Sequence, residues 1–447
     1  MAQLPPQQTT STDAKHYLEL LTWLFKRQRF GLKPGLETIR GLLKTLDHPE
    51  DSFETILVAG TNGKGSTSST LASILTQTTR TALFTSPHLT HFAERFVVNG
   101  QPLPEASIYP ALAHIQPLAD ELGATFFEIT TALACQLFAE AHVQQAVFEV
   151  GMGGRFDATN ALTPIRSLIT NVSLDHTEYL GDTEAAIAGE KAGILRADTL
   201  ALTAAQGDAL EVIEQRARAL NTPLWSRYTN AADTSNEVQS IHIEASLAGW
   251  QGAHIKIDDP KGSIEVRSPL LGAHQLDNVS LAVAAAHSLD VSDDAIQAGV
   301  RQTTWAGRLE PITAHDRTFL LDGAHNPTSA QALASALDEL TDDPVLLIFG
   351  VAAGKDLAGI VDALSPRVRA VITTQAALSP RAIHPQQVAD AWPKPVTISQ
   401  TPDEAINLAI QQSQTGEVIV VAGSLYLIGE VRPKLLGEPL EHWERWQ

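Results

Sequence analysis

A glycine-spaced loop with one lysine, Gly60-Thr-Asn-Gly-Lys-Gly-Ser66, lies between the apolar run TILVAG and a segment with helical apolar spacing. A strand, a loop and a helix in this order place backbone N–H groups and the positive end of the helix around an anion, typically a phosphate. Lys64 would add a positive charge near the terminal phosphates of a nucleotide. The pattern therefore predicts a nucleotide site; the weaker alternative is a structural glycine-rich turn.

Gly65 occupies the position at which the common GxxxxGK[ST] loop has a hydroxyl that holds magnesium. Magnesium takes hard oxygen ligands, few of them from the protein. Ligands of parallel sheets bind outside the carboxyl ends of the strands. The runs TALFTSPHL, QAVFEVGMGGRFD and SLITNVSLDH lead to Ser86, to Glu149, and to Asp175 and His176. We therefore expect these strand ends to hold the metal, although a lone Ser or His there is more often a turn cap.

Lys191 follows an apolar, small-residue stretch in TEYLGDTEAAIAGEKAGIL, on a helix that Asp182 or Thr183 would cap. Burial would favour the neutral form of its amine. A neutral amine can react with carbon dioxide to give a carbamate, which is an anionic metal ligand. The residues alone leave open whether Lys191 is modified or is an ordinary surface lysine.

Predicted strands alternate with predicted helices along most of the chain, which is typical of βαβ crossovers and a mainly parallel sheet. Two helices are predicted before the loop, within DAKHYLELLTWLF and PGLETIRGLLKTL. Strands after the loop are predicted at 81–86, 145–150, 166–173 and 199–204. Residues 237–270 alternate over short stretches, VQSIHIEAS and AHIKIDD, and predict a small antiparallel appendage, with helices following at about 275–300.

The alternation of predicted strands and helices begins again after TTWAGRLEP, which predicts a second α/β domain. We predict a P-loop ATPase-like domain over 1–302, a hinge over 303–311 and a Rossmann-like domain over 312–447. The strands of the second domain are predicted within TFLLDGA, PVLLIFG, RAVITTQ, PVTIS and EVIVVAG. Asn278 is predicted at a helix start, and LLDGAHNP places Asp322, His325 and Asn326 between a strand and a helix that begins at Pro327.

The length and overall composition of the chain exclude several classes of protein. A chain of 447 residues favours two or three domains, and a net charge of −20 argues against nucleic-acid or anionic-membrane partners. An anionic nucleotide would then need a local cluster of cations. No run reaches the ~18 apolar residues of a membrane span, and the first residues lack a secretory signal pattern. The single Cys135 excludes a disulfide framework and is expected in the core, so we expect a cytoplasmic protein.

Eight motifs in order, from about residue 29 to residue 431, resemble the folylpolyglutamate synthase family, which is related to the Mur ligases. They are GTNGKGST, TSPHL, FFEITT, FEVGMGGRFDATN, TNVSLDH, GEKAGI, LDGAHNP and AGSLYLIGEVR. The resemblance implies an ATP-dependent carboxylate–amine ligase that joins L-glutamate to dihydropteroate and to the γ-carboxylate of reduced folates through an acyl phosphate. Folylpolyglutamate synthesis alone, or another Mur-type amide ligation, is the alternative.

The same resemblance assigns roles to residues. ATP would contact Asn62, Gly63, Lys64, Gly65, Ser66, Asn278, Arg308 and Asp322. Two Mg²⁺ ions would be held by Ser86, Glu149, His176 and a carbamylated Lys191. The resemblance leaves open whether a monovalent cation is also a cofactor. Lys64, Lys191 and His325 would be catalytic, the last near the glutamate. Contacts to the pterin substrate would come from Phe30, Gly31, Phe126, Phe127, Glu128 and Arg155, although phenylalanines in such domains are more often core residues. We expect a monomer.

Three other functional classes share part of this pattern. A Mur-type cell-wall ligase would use a UDP-sugar and would carry a whole substrate domain before the loop, for which the 59 residues before Gly60 are expected to be too few. A small-molecule kinase would explain the loop but not a second α/β domain with LDGAHNP. A non-enzymatic ATP sensor would release ADP slowly or not at all with every folate tested.

Overall fold

The structure is a computed structural model that describes residues 11–27, 35–228, 238–379 and 381–438, with side chains from residue 16 onward. Its α-helices are α1 (Ser11–Phe25), α2 (Glu37–Thr45), α3 (Lys64–Leu75), α4 (Glu105–Leu122), α5 (Phe126–Glu140), α6 (Thr177–Leu180), α7 (Glu184–Lys191), α8 (Gly207–Leu220), α9 (His274–Ser288), α10 (Asp293–Gln302), α11 (Pro327–Leu340), α12 (Leu357–Leu364), α13 (Pro385–Ala389), α14 (Pro402–Gln412) and α15 (Leu425–Leu436). Short 3₁₀ turns lie at Pro49–Ser52, Phe92–Arg95, Ala158–Ala161, Ala192–Ile194, Gly249–Gln251 and Ser365–Arg367.

The largest sheet of the described residues is mainly parallel, as the sequence predicts. Its strands are β1 (Glu54–Ala59), β2 (Thr81–Phe84), β3 (Phe96–Val98), β4 (Gln101–Pro102), β5 (Gln145–Glu149), β6 (Pro164–Ile169), β7 (Ala201–Thr203), β8 (Leu224–Ser226) and β9 (Val238–Ser240). They lie in the order β4-β3-β2-β5-β1-β6-β7-β8-β9. Only the β2–β3 and β3–β4 pairs among them are antiparallel.

Apolar cores cover both faces of this sheet. In β1, Ile56 and Val58 pack into the core that includes α3, α9 and α10, whereas Leu57 and Ala59 pack into the core that includes α1, α2, α4 and α5. A strand buried on both faces has a nearly continuous apolar run, which explains TILVAG. The two layers of helices hold the carboxyl end of β1, and therefore the loop after it, in a fixed position.

A second sheet is antiparallel and is formed by β10 (His242–Leu247), β11 (Ala253–Asp259) and β12 (Gly262–Ser268). It packs on α9 and α10 through Ile255, Ile257 and Val266. This sheet confirms the predicted antiparallel appendage, with one correction. The run VQSIHIEAS is not one strand of it, because Val238–Ser240 pairs in parallel with β8 and extends the large sheet.

The C-terminal sheet comprises β13 (Glu310–Ala314), β14 (Arg317–Leu321), β15 (Val345–Phe349), β16 (Val368–Thr373), β17 (Val396–Ile398) and β18 (Val418–Ala422), in the order β13-β14-β18-β15-β16-β17. Helices α11, α12 and α13 contribute to the core on one face, and α14 and α15 to the core on the other. The predicted hinge range overlaps β13, which forms an antiparallel hairpin with β14. The domain boundaries themselves stay a prediction.

Two smaller expectations from the sequence concern Cys135 and membrane spans. Cys135 lies in α5 and is fully buried, as expected of a core residue. In the described part of the chain, no helix combines the length and apolarity that crossing a membrane requires.

Candidate active site

The loop after β1 has the geometry of an anion site. It runs from Gly60 to Gly63, and α3 begins at Lys64. Gly63 has a left-handed backbone (φ 81°), and a Cβ there would collide with the Asn278 amide. No side chain caps the first N–H groups of α3, so they can bind an anion. Asn62 Nδ2 is also a buried donor without a partner in the described residues, and an anion would satisfy it.

Lys64 supplies a partly buried positive charge to this loop. Its Nζ donates hydrogen bonds to the carbonyl oxygens of Gly60 and Thr61, each at 3.1 Å. Burial lowers the pKa of Lys64, while the nearby carboxylates of Glu149 and Asp175 act in the opposite direction. The ammonium is thus held at the loop.

Glu149 and Ser86 come together because β2 and β5 are neighbours in the sheet. Glu149 is the last residue of β5 and is 5% exposed. Its Oε2 accepts a hydrogen bond of 3.0 Å from the backbone N–H of Ser86. Burial raises the pKa of Glu149, and the charge of Lys64 opposes this rise. A buried carboxylate beside a cationic loop is a suitable ligand for a divalent cation.

His176 lies farther from its strand than the sequence suggested. Strand β6 ends at Ile169, short of its predicted end at residue 173, and an irregular segment connects it to Asp175 and His176. His176 nevertheless lines the same cavity as Ser86 and Glu149. Burial lowers its pKa, which favours the neutral imidazole that can bind a metal.

The three predicted ligands offer a carboxylate, a hydroxyl and an imidazole, and they leave positions for phosphate and water, as Mg²⁺ prefers. Among the described residues, no group of three or more His, Cys, Asp or Glu side chains is arranged to hold a metal. The predicted set does not need such a group, because one of its members is Ser86. The residues fit a magnesium ion, and their ligation stays a prediction.

Lys191 is buried, as the sequence suggested. It is the last residue of α7 and is 2% exposed. The hydroxyl of Thr183 caps this helix by accepting a hydrogen bond from the backbone N–H of Ala186. Burial and then the charge of Lys64 lower the pKa of Lys191 to about 7. A substantial fraction of its amine is therefore neutral near neutral pH, and its carbamylation stays a prediction.

The C-terminal sheet adds Asp322 and His325 to the same cavity. The carboxylate of Asp322 accepts hydrogen bonds of 2.9 Å from the backbone N–H groups of Leu309 and Ala324. Burial raises its pKa, and the charge of Arg308 opposes this. His325 Nδ1 lies 2.7 Å from the carbonyl oxygen of Gly323, so Nδ1 carries the proton and Nε2 is an acceptor. Burial lowers the pKa of His325 to about 4.

These side chains line one cavity of about 410 Å³, the phosphate-loop cavity. Its lining includes every residue for which a nucleotide, metal or catalytic role is predicted: Asn62, Gly63, Lys64, Gly65, Ser66, Ser86, Glu149, His176, Lys191, Asn278, Arg308, Asp322 and His325. The local cluster of cations that a chain of net charge −20 needs is therefore present. It is built from both large sheets.

Asn278 requires a correction. Helix α9 begins at His274, so Asn278 lies in its second turn and is not a capping residue. It is 6% exposed, and its Nδ2 donates to Gln275 Oε1 at 2.9 Å. Its amide packs against Gly63, which joins α9 to the phosphate loop.

Lys355 and His274 line the phosphate-loop cavity although no role was predicted for them. Lys355 Nζ lies 3.9 Å from Asp175 Oδ1 and links the C-terminal sheet to the loop after β6. Burial acts to raise the pKa of Asp175, but His176, Lys355 and His325 outweigh it and hold the pKa below its ordinary value. Lys355 follows the strand predicted within PVLLIFG. The expectation that ligands bind beyond the carboxyl ends of strands could therefore have indicated it. His274 had no such signal.

A second cavity, of about 480 Å³, is called here the aromatic cavity; it is lined by Phe126, Phe127, Phe156, Tyr179, Met152 and Arg95, among others. Phe126 stacks on Phe25 with ring centroids 5.7 Å apart. The Arg95 guanidinium lies 5.1 Å from the centre of the Phe126 ring. Phe127 packs directly on Gly151, where a Cβ would come within 2.6 Å of its ring. These walls suit a flat aromatic molecule.

The other predicted substrate contacts have mixed outcomes. Glu128 lines the aromatic cavity, but its Oε2 accepts hydrogen bonds of 2.8 Å from Thr125 N and Oγ1 in a capping box of α5. Arg155 lies outside the lining of this cavity, with its Nε 3.4 Å from Glu190 Oε1. Phe30 and Gly31 lie outside the described residues.

The two cavities meet. Ser86, Pro87, Gly151, Met152 and His176 line both of them. A molecule whose ring lies among the aromatic walls can therefore extend one end toward Ser86, His176 and the phosphate loop. The arrangement can bring the end of a ring-bearing substrate to a bound nucleotide phosphate.

Known proteins share this architecture. The family description "Mur ligase middle domain" matches residues 58–286, and "Mur ligase, glutamate ligase domain" matches residues 307–425. The dihydrofolate synthase/folylpolyglutamate synthase of Bacillus subtilis is 34% identical over 94% of this chain and 99% of its own length. The Mycobacterium tuberculosis folylpolyglutamate synthase complexed with ADP superposes with a TM-score of 0.86, at 31% identity, over 96% of this chain and 100% of that one.

A longer relative is the probable bifunctional folylpolyglutamate synthase/dihydropteroate synthase of Haloferax volcanii. It is 36% identical over 93% of this chain. The chain spans about half (50%) of the length of that relative. The similarity therefore covers one part of the H. volcanii protein and nearly the whole of the B. subtilis protein.

Proposed function

The chain belongs to the dihydrofolate synthase/folylpolyglutamate synthase family of Mur ligases, and from this premise we propose that it uses ATP to join L-glutamate to dihydropteroate and to the γ-carboxylate of reduced folates. The observation that carries the proposal is the wall that the two cavities share, at Ser86 and His176. It connects a site suited to a pterin ring with a site suited to nucleotide phosphates. A nucleotide sensor does not require this connection. A kinase does require an acceptor site beside the phosphates, and it is distinguished by its phosphorylated product.

In the proposed reaction, the substrate carboxylate attacks the γ-phosphorus of ATP, ADP leaves, and an acyl phosphate forms. The amine of L-glutamate then attacks the acyl carbon, phosphate leaves, and an amide forms with loss of one proton from nitrogen. Lys64 and the N–H groups at the start of α3 bind the phosphates and stabilise charge that builds up during transfer.

Ser86, Glu149, His176 and a carbamylated Lys191 are the proposed holders of two Mg²⁺ ions. Bound magnesium neutralises phosphate charge and orients the terminal phosphate. Glu149 suits this role because its buried carboxylate has one partner already fixed, the Ser86 N–H. Lys191 suits it because its lowered pKa of about 7 favours the neutral amine that carbon dioxide requires.

His325 is the proposed acceptor of the proton that the glutamate amine loses. Its Nδ1 is held by the carbonyl oxygen of Gly323, which leaves Nε2 unprotonated. Its lowered pKa keeps the imidazole neutral at physiological pH. Lys355, which lines the phosphate-loop cavity 3.9 Å from Asp175 Oδ1, adds positive charge for an anionic substrate.

The test is a product assay on the full chain. ATP, Mg²⁺ and L-glutamate are supplied with dihydropteroate in one reaction and with tetrahydrofolate in another, and products are identified by mass spectrometry. We expect ADP, phosphate and a glutamylated product in both. A glutamylated product from tetrahydrofolate alone would restrict the activity to polyglutamylation, and a phosphorylated product without phosphate release would contradict the proposal.

Other expectations from the sequence are not tested by this assay. A monomeric state, a cytoplasmic location and the requirement for a monovalent cation stay predictions. Size-exclusion chromatography with light scattering measures the first, and an assay with and without K⁺ measures the third.

A further inference from the structure

Trp305 lies against the first turn of the phosphate-loop helix. A Cβ added to Gly65 would lie 2.5 Å from Cζ2 and 2.8 Å from Cε2 of the Trp305 indole. The Gly65 backbone is not in the left-handed region, so the turn itself does not require glycine. The Trp305 indole requires glycine at position 65, because it fills the space in which any larger side chain there would lie.

The contact continues along one face of α3. Ser69 Oγ donates a hydrogen bond of 3.0 Å to the carbonyl oxygen of Thr304, beside Trp305. One turn later, Ser73 Oγ donates a hydrogen bond of 2.7 Å to the carbonyl oxygen of Gly299 in α10. Gly65, Ser69 and Ser73 are spaced by four residues, so they lie on the same side of the helix. This side of α3 holds the segment from 299 to 305.

The other end of the segment reaches the C-terminal sheet. The backbone N–H of Leu309 donates to Asp322 Oδ2 at 2.9 Å. The Arg308 side chain packs on Gly323, where a Cβ would collide with its Nη1. Residues 304–309 are therefore held on α3 at one end and at Asp322 and Gly323 at the other. Arg308 belongs to the second of these attachments.

We infer that Trp305 is a positioning residue for nucleotide binding, which holds the segment that carries Arg308 at a fixed distance from the phosphate loop. The inference rests on the proposed function, since it requires ATP at the phosphate-loop cavity. It also explains why this loop has glycine after Lys64: a hydroxyl side chain there and the indole of Trp305 cannot occupy the same space. Trp305 itself does not line the cavity, so it acts through Gly65 and Arg308.

The test is a double-mutant cycle on the full chain with Gly65→Ala, Trp305→Leu and both together. We expect Gly65→Ala to raise the KM for ATP by about 100-fold, because the new methyl collides with the indole. Trp305→Leu should raise it by about tenfold, with the KM for the pterin substrate unchanged. The double variant should bind ATP at least about tenfold better than Gly65→Ala, because the smaller side chain makes room for the methyl.

Two matched variants control for general damage. Gly41→Ala also changes a helical glycine, but its added Cβ would meet Leu122 at an ordinary 3.6 Å. Trp250→Leu also removes a tryptophan, which is 39% exposed on the 3₁₀ turn between β10 and β11. Both should leave the KM for ATP within about twofold of wild type. Should Trp305→Leu not fold, as judged by circular dichroism and thermal unfolding, Trp305→Phe replaces it in the cycle.

Calorimetric titration of ADP separates the two possible failures. No ADP binding by the wild type would contradict the proposed function. ADP binding by the wild type, with Trp305→Leu equal to wild type and with the double variant no better than Gly65→Ala, would overturn the role of Trp305 alone. Recovery in the double variant supports the inference, because a merely structural loss at each site would add and not cancel.

Discussion

The two cavities that meet at Ser86 and His176 are built from different materials. The phosphate-loop cavity consists of glycines, helix N–H groups and buried charges, and both large sheets contribute to it. The aromatic cavity adds aromatic side chains such as Phe126 and Phe127, with charged ones such as Arg95 beside them. Buried charges cannot be moved or removed without a large loss of free energy, whereas an apolar wall changes affinity in small increments. The first cavity should therefore control the rate and the second the choice of substrate.

The largest expected effect comes from the phosphate loop. Lys64→Ala should lower kcat by about 1,000-fold, because the charge that Lys64 places at the loop is lost where charge builds up in the reaction. The control is Lys44→Ala, which removes an exposed lysine of α2 and should retain full activity. Steady-state kinetics measure both. Wild-type turnover of Lys64→Ala would contradict the claim that the phosphate-loop cavity controls the rate.

Lys191 should give the next largest effect. Lys191→Ala should lower kcat by about 100-fold, since an anionic ligand would be missing from the site. In the wild type, ¹³C-labelled bicarbonate should give a carbamate signal by NMR that is absent from the variant. Equal activity of the two proteins, or the same spectrum from both, would exclude carbamylation of Lys191 as part of the site.

A change in the aromatic cavity should have a different signature. Phe127→Leu should raise the KM for dihydropteroate by about tenfold, with kcat and the KM for ATP nearly unchanged. The matched control is Phe53→Leu, since Phe53 packs on Phe138 and Phe148 in the core and should affect stability without affecting any KM. If Phe127→Leu altered kcat more than the KM for dihydropteroate, the aromatic cavity would control the rate, and the contrast between the two cavities would be wrong.

The smallest effect is expected outside both cavities, at the buried His287. Its Nδ1 lies 2.8 Å from Asp259 Oδ2, and its Nε2 lies 3.2 Å from Asp293 Oδ1. The hydrogen bond with Asp259 raises its pKa in the folded state above 6.5. The stabilisation from its charge is therefore complete below pH 6.5 and is lost as the pH rises through the folded pKa.

His287→Gln tests this titration. At pH 6 the variant should lose about 1–2 kcal/mol of unfolding free energy, with a smaller loss at pH 9 and no change in any KM. Urea unfolding at the two pH values measures the difference. An equal loss at both values would show that the charge of His287 does not contribute.

Much of the fold followed from local patterns in the sequence. The long apolar strands and the amphipathic helices lie close to their predicted positions because burial on one or both faces leaves a clear period. The strands β8 and β13 carried no such signal, and β9 was predicted in the antiparallel appendage, not in the large sheet. Strands β8 and β9 are three residues long, and β13 follows Gly307 and contains Pro311, which read as a hinge.

The candidate site could be predicted where a motif is local. The phosphate loop, Ser86 and Glu149 follow directly from strand ends, and the structure places them as expected. Asn278 and Trp305 acquire their positions from long-range packing against Gly63 and Gly65. Local patterns indicate the residue types at these positions but not their partners, and so Asn278 was predicted at a helix start and nothing was predicted for Trp305.

The proposed function requires that the end of a molecule held in the aromatic cavity is activated by a nucleotide held at the phosphate loop. Dihydropteroate labelled with ¹⁸O in its carboxylate tests this most directly, in a reaction with ATP, Mg²⁺ and L-glutamate. The phosphate released should carry one ¹⁸O atom per amide formed, because that oxygen passes through the acyl phosphate. Unlabelled phosphate alongside normal amide formation would contradict it.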